Sequence, residues 1–239
     1  MTPALHQSLI DSASAPYRAA DPYAWHFARG KLKCDPAYLT LLEHGLIPEG
    51  ARVLDLGCGQ GLLAAWLLAA QSHAEQGQWP DDWPPPPRFA SMRGMELMAR
   101  DRERADQALG RHARFEQADI TRADFGEADA VVILDVLHYI DYDTQLDILR
   151  RVREALTADG VLLLRIGNAA GGLRYRISAY YDRLIWKLRG ARRSRLYCRS
   201  LDEWRDALLS VGFDSRSVPM RKGLKLANVL LVAKPIRPA

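Results

Sequence analysis

The feature that most constrains the fold of this 239-residue chain is a short apolar segment that runs directly into a cluster of glycines. Residues 52–56 read Arg-Val-Leu-Asp-Leu, which is typical of a buried parallel strand, and Gly57, Gly59 and Gly61 follow at alternate positions. Glycine permits a positive φ and lets a ligand approach the backbone. The Leu/Ala-rich segment 62–70 then predicts a helix whose first N–H groups face that ligand. The pattern predicts a nucleotide-type site at the end of the first strand.

Strand-like and helix-like segments alternate through most of the chain. Further strands are predicted at 89–97, 113–117, 128–136 and 161–166, and helices at 99–109 and 142–156. The C-terminal part adds a helix at 201–211 and strands near 215–218 and 224–233. This order predicts an α/β fold with an open, mostly parallel sheet that ends in an antiparallel strand pair.

The flanking segments carry weaker signals. Residues up to about 14 lack periodicity and are expected to be loosely ordered, whereas 17–32 and 35–46 have helical spacing. Asp35-Pro36 is typical of an N-cap followed by proline at the first helical position. Residues 76–87 include four consecutive prolines and predict an exposed polyproline-like loop.

The charge of the chain is concentrated in one segment. The whole sequence carries +4, but residues 172–199 hold nine basic residues against Asp182 alone, a local charge of +8 that leaves −4 for the rest. The longest apolar run, 62–70, is about half of what a membrane-spanning helix needs, and the first residues do not resemble a secretory signal. Three cysteines without metal-ligand spacing argue against disulfides and structural zinc, so we expect a cytoplasmic protein with no metal.

Carboxylates stand at the ends of three successive predicted strands. Asp55 precedes the glycines, where it would repel a pyrophosphate and attract an ammonium or sulfonium cation; capping of the loop amides is the alternative. Glu96 could accept both ribose hydroxyls of an adenosine, and Asp119 could accept from the adenine amine while Ile120 packs on the ring. Each residue alone could equally be a solvated turn residue, but their joint occurrence favours a ligand site.

These residues resemble the motifs of class I S-adenosylmethionine-dependent methyltransferases of the small-molecule type. Asp55-Leu56-Gly57-Cys58-Gly59-Gln60-Gly61 is similar to the family's first motif, and Leu134-Asp135-Val136-Leu137-His138-Tyr139 to its fourth. The resemblance implies a Rossmann-like seven-stranded sheet with helices on both faces, and S-adenosylmethionine as the cofactor. The implied cofactor-binding residues are Arg29, Asp55, Gly57, Cys58, Gly59, Gly61, Glu96, Leu97, Asp119, Ile120 and Asp135. The interval between Gly61 and Glu96 is longer than usual for the family, which leaves Glu96 dependent on an insertion at the proline-rich loop.

The chemistry implied by this resemblance is direct in-line methyl transfer, with Asp135 and His138 near the transfer site. His138 could accept a proton from a phenol, carboxylic acid or activated carbon, or could simply pack in the following segment. Arg29 could pair with the methionine carboxylate of the cofactor, or could be a solvated helix charge.

The expected organisation has four parts. These are an N-terminal helical cap (1–50), a cofactor-binding core (51–170), a basic substrate-side insertion (171–199) and a C-terminal helix and strand pair (200–239). The insertion suits an anionic membrane or an acidic carrier protein; nucleic acid is disfavoured because the fourth motif lacks the Asn/Asp-Pro-Pro-aromatic signature of base-amine methyltransferases.

The expected acceptor is a small or carrier-bound hydroxyaryl or acidic metabolite, methylated on oxygen or on a ring carbon. The run Phe-Ala-Arg-Gly-Lys-Leu near the N-terminus resembles methyltransferases of bacterial aryl polyene pathways, which implies secondary metabolism. Two alternatives remain open at this point: an NAD(P)-dependent oxidoreductase and a non-catalytic protein that binds S-adenosylmethionine.

Overall fold

The computed structural model describes residues 1–167, 196–220 and 228–237, and its centre is one mixed sheet. Within these residues the sheet has seven strands in the order β3-β2-β1-β4-β5-β7-β6. The strands are β1 (Arg52–Leu56), β2 (Ser91–Glu96), β3 (Arg114–Gln117), β4 (Ala128–Leu134), β5 (Leu156–Gly167), β6 (Phe213–Val218) and β7 (Asn228–Pro235). The Rossmann-like fold predicted from the sequence is confirmed.

The direction of the strands places the candidate site. Strands β1 to β5 are parallel to their neighbours in that series, and β7 runs antiparallel to both β5 and β6. Because β1 pairs with β2 on one side and with β4 on the other, the strand order reverses beside β1. In open α/β sheets, ligands bind at the carboxyl ends of the strands beside such a reversal.

Helices cover both faces of the sheet, and the sheet separates two apolar cores. The described helices are α1 (Pro3–Ser14), α2 (Tyr17–Ala20), α3 (Pro22–Cys34), α4 (Pro36–Glu43), α5 (Leu62–Glu75), α6 (Ala99–Leu109), α7 (Tyr142–Ala155) and α8 (Leu201–Ser210), with a short 3-10 helix at Leu137–Tyr139. Successive residues of β1 alternate between the cores, since Val53 packs in one and Leu54 in the other. Trp66 of α5 and Trp204 of α8 are fully buried on opposite faces.

The expectation of a loosely ordered N-terminus is wrong. Helix α1 is capped by the Thr2 side chain, which accepts a hydrogen bond from the N–H of Leu5, and it buries Leu9 and Ile10. The helix predicted at 17–32 is interrupted at Asp21, whose carboxylate accepts from the N–H of Tyr23 and caps α3. The predicted N-cap at Asp35 is confirmed.

The proline-rich segment is less exposed than its composition predicts. Trp83 retains only 7% of its surface, and Pro86 and Pro87 are buried. The indole N–H of Trp79 donates to the carbonyl of Pro84 over 2.9 Å, so the segment folds back on itself. Its tryptophans supply the apolar surface that keeps part of it out of water.

Two further expectations concern membranes and the basic insertion. Over 1–167, 196–220 and 228–237, no helix has the length and apolar character needed to cross a bilayer. Nearly all of the predicted basic insertion, including Arg176, Arg183 and Lys187, lies outside the described residues.

Candidate active site

The glycine loop after β1 is fixed against the end of β2. The N–H groups of Gly57 and Cys58 both donate to the carbonyl of Met95, over 2.8 and 3.0 Å. Gly57 has φ 79°, and a Cβ there would lie 2.3 Å from Cγ2 of Val136, so only glycine fits. Val136 belongs to the segment that follows β4, and the contact therefore brings the predicted first and fourth motifs together.

The remaining positions of the loop divide into packed and open ones. A Cβ on Gly61 would lie 2.8 Å from the Phe115 ring, so this glycine allows α5 to start close to β3. Cys58 is buried, and burial raises the pKa of its thiol. At Gly59 a Cβ would meet no atom within 4 Å, which leaves space for a ligand against the backbone.

Asp55, near the end of β1, is a buried carboxyl group whose surroundings favour a cation. It is 4% exposed. Burial, and then repulsion from the Glu96 carboxylate, raise the pKa of Asp55 to about 7. A positively charged ligand at this edge would offset both the cost of burying an ionised Asp55 and its repulsion from Glu96. The residues present therefore fit a cationic cofactor of the sulfonium type.

Glu96 lies at the end of β2, as the ribose assignment requires. Its two carboxylate oxygens accept from the N–H of Gly59 over 2.9 Å and from the N–H of Met98 over 2.8 Å. Met95 pairs with Leu56 in the parallel register, so Glu96 stands beside the glycine loop despite the long sequence interval. Helix α5 and the proline-rich segment occupy that interval.

The third strand end carries Asp119 and Ile120, next to Glu96. The N–H of Ala118 donates to the Glu96 carbonyl over 3.0 Å, which joins the two segments. Asp119 accepts from the N–H and the hydroxyl of Thr121, and these bonds lower its pKa. Ile120 is buried in the second core, whereas Leu97 is 55% exposed beside the site. An adenine contact by Asp119, Ile120 or Leu97 stays a prediction.

Asp135, in the loop after β4, is held by a buried arginine that the sequence interpretation missed. Arg165 of β5 is 3% exposed and binds the carboxylates of both Asp135 and Asp35. Lys31 adds contacts of 2.8 Å to Asp35 and 3.3 Å to Asp135. Burial would raise the pKa of Asp135, but Arg165 and Lys31 outweigh it and hold the pKa well below its usual range. Asp135 has φ 60°, in the left-handed region that aspartate adopts more readily than most residues, and the two cations hold its side chain in place.

His138, the other predicted catalytic residue, lies in the 3-10 helix three residues further on. It is 8% exposed. Burial lowers its pKa to about 4, with Arg165 and Lys31 adding to the effect and Asp135 opposing it. The imidazole is therefore neutral near pH 7, as a proton acceptor must be, but it is a weak base.

The N-terminal helices cover the glycine loop through contacts that were not predicted. The hydroxyl of Tyr17 donates to the carbonyl of Gln60 over 2.8 Å, and the Gln60 side chain donates to the carbonyl of Ala24 over 2.8 Å. The available signal was a polar residue, Gln60, between the glycines of an otherwise apolar segment. Arg165 had a similar signal as the single charge within the run 161–166.

Arg29, predicted to pair with the methionine carboxylate of the cofactor, contacts other residues of the N-terminal helices. Its guanidinium pairs with Asp11 of α1 and lies 5.3 Å from the centre of the Trp25 ring. The cation of α3 that reaches the fourth-motif loop is Lys31. A contact between Arg29 and a cofactor stays a prediction.

Comparisons with known proteins agree with this geometry. A profile of the family described as "Methyltransferase domain" matches residues 24–218. The magnesium protoporphyrin IX methyltransferase ChlM from Synechocystis PCC 6803, solved with bound SAH, shares 19% identity and a TM-score of 0.54, over 97% of this chain and 84% of that one. The mitomycin 7-O-methyltransferase MmcR shares 24% identity and a TM-score of 0.59, over 90% of this chain and 58% of its own.

The pyocyanin biosynthetic protein PhzM shares 18% identity and a TM-score of 0.61, over 94% of this chain and 62% of its own. This chain therefore spans about three fifths of MmcR and of PhzM. A comparison with curated proteins finds no match. At these identities the likeness to solved structures establishes the fold.

Proposed function

This chain belongs to the methyltransferase-domain family and uses S-adenosylmethionine as its cofactor, and we propose that it methylates an oxygen of a small or carrier-bound hydroxyaryl or acidic compound. A ring carbon of such a compound is the alternative acceptor atom. Secondary metabolism and a cytoplasmic location are part of the proposal. The likeness to a mitomycin 7-O-methyltransferase and to a pyocyanin biosynthetic protein supports the first, and the small, odd number of cysteines supports the second.

The observation that carries the proposal is the pairing of two carboxyl groups at an open glycine loop. Asp55 and Glu96 repel each other, and Glu96 is fixed by the N–H of Gly59 beside the open space. Asp55 and Glu96 would hold the cationic and ribose parts of the cofactor, and the loop amides would contact it closely. The cofactor supplies an activated methyl group on a sulfonium, so the protein has to orient the acceptor and exclude water.

Residues after β4 would manage the proton of the acceptor. His138 is neutral and near Asp135, so it can receive a hydroxyl proton without first losing one. Asp135 is ionised and bound by Arg165, and its role is to position this loop and not to exchange protons itself. Because His138 is a weak base, the arrangement favours acceptors that ionise easily, such as phenols and carboxylic acids.

Cofactor binding and product formation test the proposal. Calorimetry is expected to show binding of S-adenosylmethionine that Asp55→Ala or Glu96→Ala weakens by more than tenfold, while Glu127→Ala, an exposed carboxylate paired with Arg52, leaves it unchanged. Mass spectrometry of the protein with cellular phenols, acids and carrier-bound acyl groups should show products in which one methyl replaces one hydrogen.

Three outcomes contradict parts of this proposal. No binding by the intact protein excludes the proposed use of the cofactor. Binding without S-adenosylhomocysteine formation from any acceptor indicates a non-catalytic binding protein. Tight binding of a reduced nicotinamide cofactor, in place of S-adenosylmethionine, indicates an oxidoreductase.

We further propose that the basic segment 172–199 binds an acidic carrier protein, with an anionic membrane as the alternative partner. Its charge of +8 on a body of −4 supports such a contact. Neutralising Arg176, Arg183 and Lys187 should lower turnover of a carrier-bound acceptor and leave cofactor affinity unchanged. The matched control neutralises three exposed basic residues elsewhere: Arg111, Arg150 and Lys234. An equal loss of cofactor affinity in the first variant would indicate a structural role.

A further inference from the structure

One flank of helix α3 combines two aromatic rings with a cation. Tyr23, Phe27 and Lys31 follow one another at four-residue spacing, so they lie on the same side of the helix. The adjacent side, which packs into the core, consists of small and apolar residues that are almost fully buried: Ala24, Ala28 and Leu32. The flank therefore borders the core: Phe27 is half-buried and packs partly against it, whereas Tyr23 is exposed.

The two ends of this flank are fixed on opposite sides of β1. Near the start of α3, the guanidinium of Arg104 in α6 lies 4.7 Å from the centre of the Tyr23 ring. Near the end, Nζ of Lys31 lies 3.3 Å from Oδ2 of Asp135, after β4. Helix α6 follows β2, and β2 and β4 are the two neighbours of β1, so the flank crosses the carboxyl end of β1 and the glycine loop. A side-chain amide from that loop donates to the carbonyl of Ala24.

The exposed chemistry of the flank is aromatic at one end and cationic at the other. The rings of Tyr23 and Phe27 are inclined by only 17°, with centres 6.2 Å apart, and Tyr23 is 55% exposed. Such rings stack on flat aromatic ligands. Lys31 keeps 34% of its side-chain surface exposed beside the loop that carries Asp135 and His138.

We propose that this flank is the acceptor-binding surface, with the aromatic ring of a phenol on Phe27 and Tyr23 and its ionised oxygen hydrogen-bonded to Lys31. The inference rests on the proposed methyltransferase function and adds the substrate class and the residues that select it. In the transfer, an oxygen lone pair forms the new bond to the methyl carbon, and the electron pair of the broken carbon–sulfur bond stays on sulfur. The phenolic proton leaves beforehand, to His138 or to solvent.

The charges around Lys31 allow this hydrogen bond. Asp35 and Asp135 face the ammonium group, and Arg165 binds both of these carboxylates as well. Lys31 can therefore donate to an acceptor oxygen without leaving either carboxylate without a cation. His138 is neutral and weakly basic, so the nearby cation is the group that can stabilise the ionised oxygen. A phenol fits because its oxygen is attached directly to the ring.

The experiment uses 4-nitrophenol, whose ionised form absorbs visible light. The full-length protein is first saturated with S-adenosylhomocysteine, with binding verified by calorimetry, and 4-nitrophenol is then titrated at several pH values. The phenolate should bind at least about tenfold more tightly than the phenol, which corresponds to a bound pKa about one unit below the free one. 4-Nitroanisole, which has no ionisable oxygen, should bind no better than the neutral phenol.

Three variants separate the parts of the surface. Lys31→Gln should abolish the preference for the ionised form, whereas Lys33→Gln, an exposed lysine of the same helix, should keep it. Phe27→Ala should weaken binding of the phenol and of the anisole alike, by about tenfold. It should keep the preference for the ionised form of the phenol. All three variants should bind S-adenosylhomocysteine as the wild type does.

The outcomes distinguish this inference from the proposed function. Failure of the wild-type protein to bind S-adenosylhomocysteine would overturn both. Normal binding of S-adenosylhomocysteine together with no binding of 4-nitrophenol, or with an unchanged preference in Lys31→Gln, would overturn this inference alone. A loss of S-adenosylhomocysteine binding in Lys31→Gln would show that Lys31 serves cofactor binding, directly or through Asp135, and would also overturn this inference.

Discussion

The buried carboxyl group of Asp55 should make cofactor-free protein less stable as the pH rises. Its pKa is about 7 in the folded state against an ordinary value of 3.8, with burial as the main cause and Glu96 as the second. Below pH 3.8 the group is protonated in both states and has no effect. Between pH 3.8 and about 7 the unfolded state loses the proton first, so the free energy of unfolding falls with rising pH.

The expected size follows from the shift of about three units, each worth about 1.4 kcal/mol, for a total of about 4 kcal/mol. Asp55→Asn removes this penalty. The stability of the variant relative to wild type should therefore increase by about 2 kcal/mol between pH 5 and pH 7, and level off above the folded pKa. Because the test compares how this stability difference changes with pH, any pH-independent effect of the asparagine side chain cancels.

The assay is urea unfolding of both proteins without cofactor at pH 5, 6, 7 and 8. The matched control is Asp129→Asn, because hydrogen bonds from Arg52 hold the pKa of Asp129 well below its usual range. The stability difference between that variant and wild type should stay constant over the same interval. Calorimetry in buffers of different ionisation enthalpy adds a second measurement: at pH 7 about half of Asp55 is protonated, so cofactor binding should release about half a proton.

The reasoning is refuted if the difference between Asp55→Asn and wild type is constant from pH 5 to pH 8 and cofactor binding releases no proton at pH 7. Such a result would mean that Asp55 is ionised in the folded protein without a ligand.

Two further predictions concern the loop and the buried arginine. Gly57→Ala should cost several kcal/mol in thermal unfolding and abolish measurable cofactor binding, because φ 79° and the 2.3 Å distance to Val136 both disfavour a Cβ there. The control Gly30→Ala, in helix α3 with open space around it, should leave stability unchanged or raise it. Equal losses of stability in the two variants would contradict the argument. Arg165→Met should cost roughly 3–5 kcal/mol in denaturant unfolding, because it leaves the buried Asp35 carboxylate and the half-buried Asp135 carboxylate without their main cation. A loss as small as that of Arg52→Met, at a more exposed pair, would mean that this network contributes little.

The positions of the glycine loop and of the carboxylates beside it were predictable because they depend on local sequence. Gly57 and Gly61 are required by positive φ and close packing, and Glu96 stands at a strand end that parallel pairing aligns with β1. These requirements act over a few residues or over the register of one strand pair. The glycine motif and the alternation of strands and helices were therefore sufficient to predict them.

The acceptor end depends on contacts between distant segments, which the pattern could not supply. Arg165 binds Asp35, which is 130 residues away in the sequence, and Asp135, which is 30 residues away. No periodicity in the sequence indicates contacts between such distant residues. The ion pair between Arg29 and Asp11 was not predicted, because α1, which carries Asp11, was not predicted as a helix. The helix was missed because its buried face contains few large apolar residues, although Thr2 and Pro3 form a regular helix start.

The position of β7 between β5 and β6 has a consequence for synthesis of the chain. Strands β1 to β5 can pair as soon as they leave the ribosome, but the free edge of β5 finds its neighbour only when residues 228–235 emerge. Until then β5 and β6 both present unpaired backbone groups, the kind of edge through which nascent chains associate. The cofactor-binding half can thus be assembled early, while protection against aggregation is completed by the last strand.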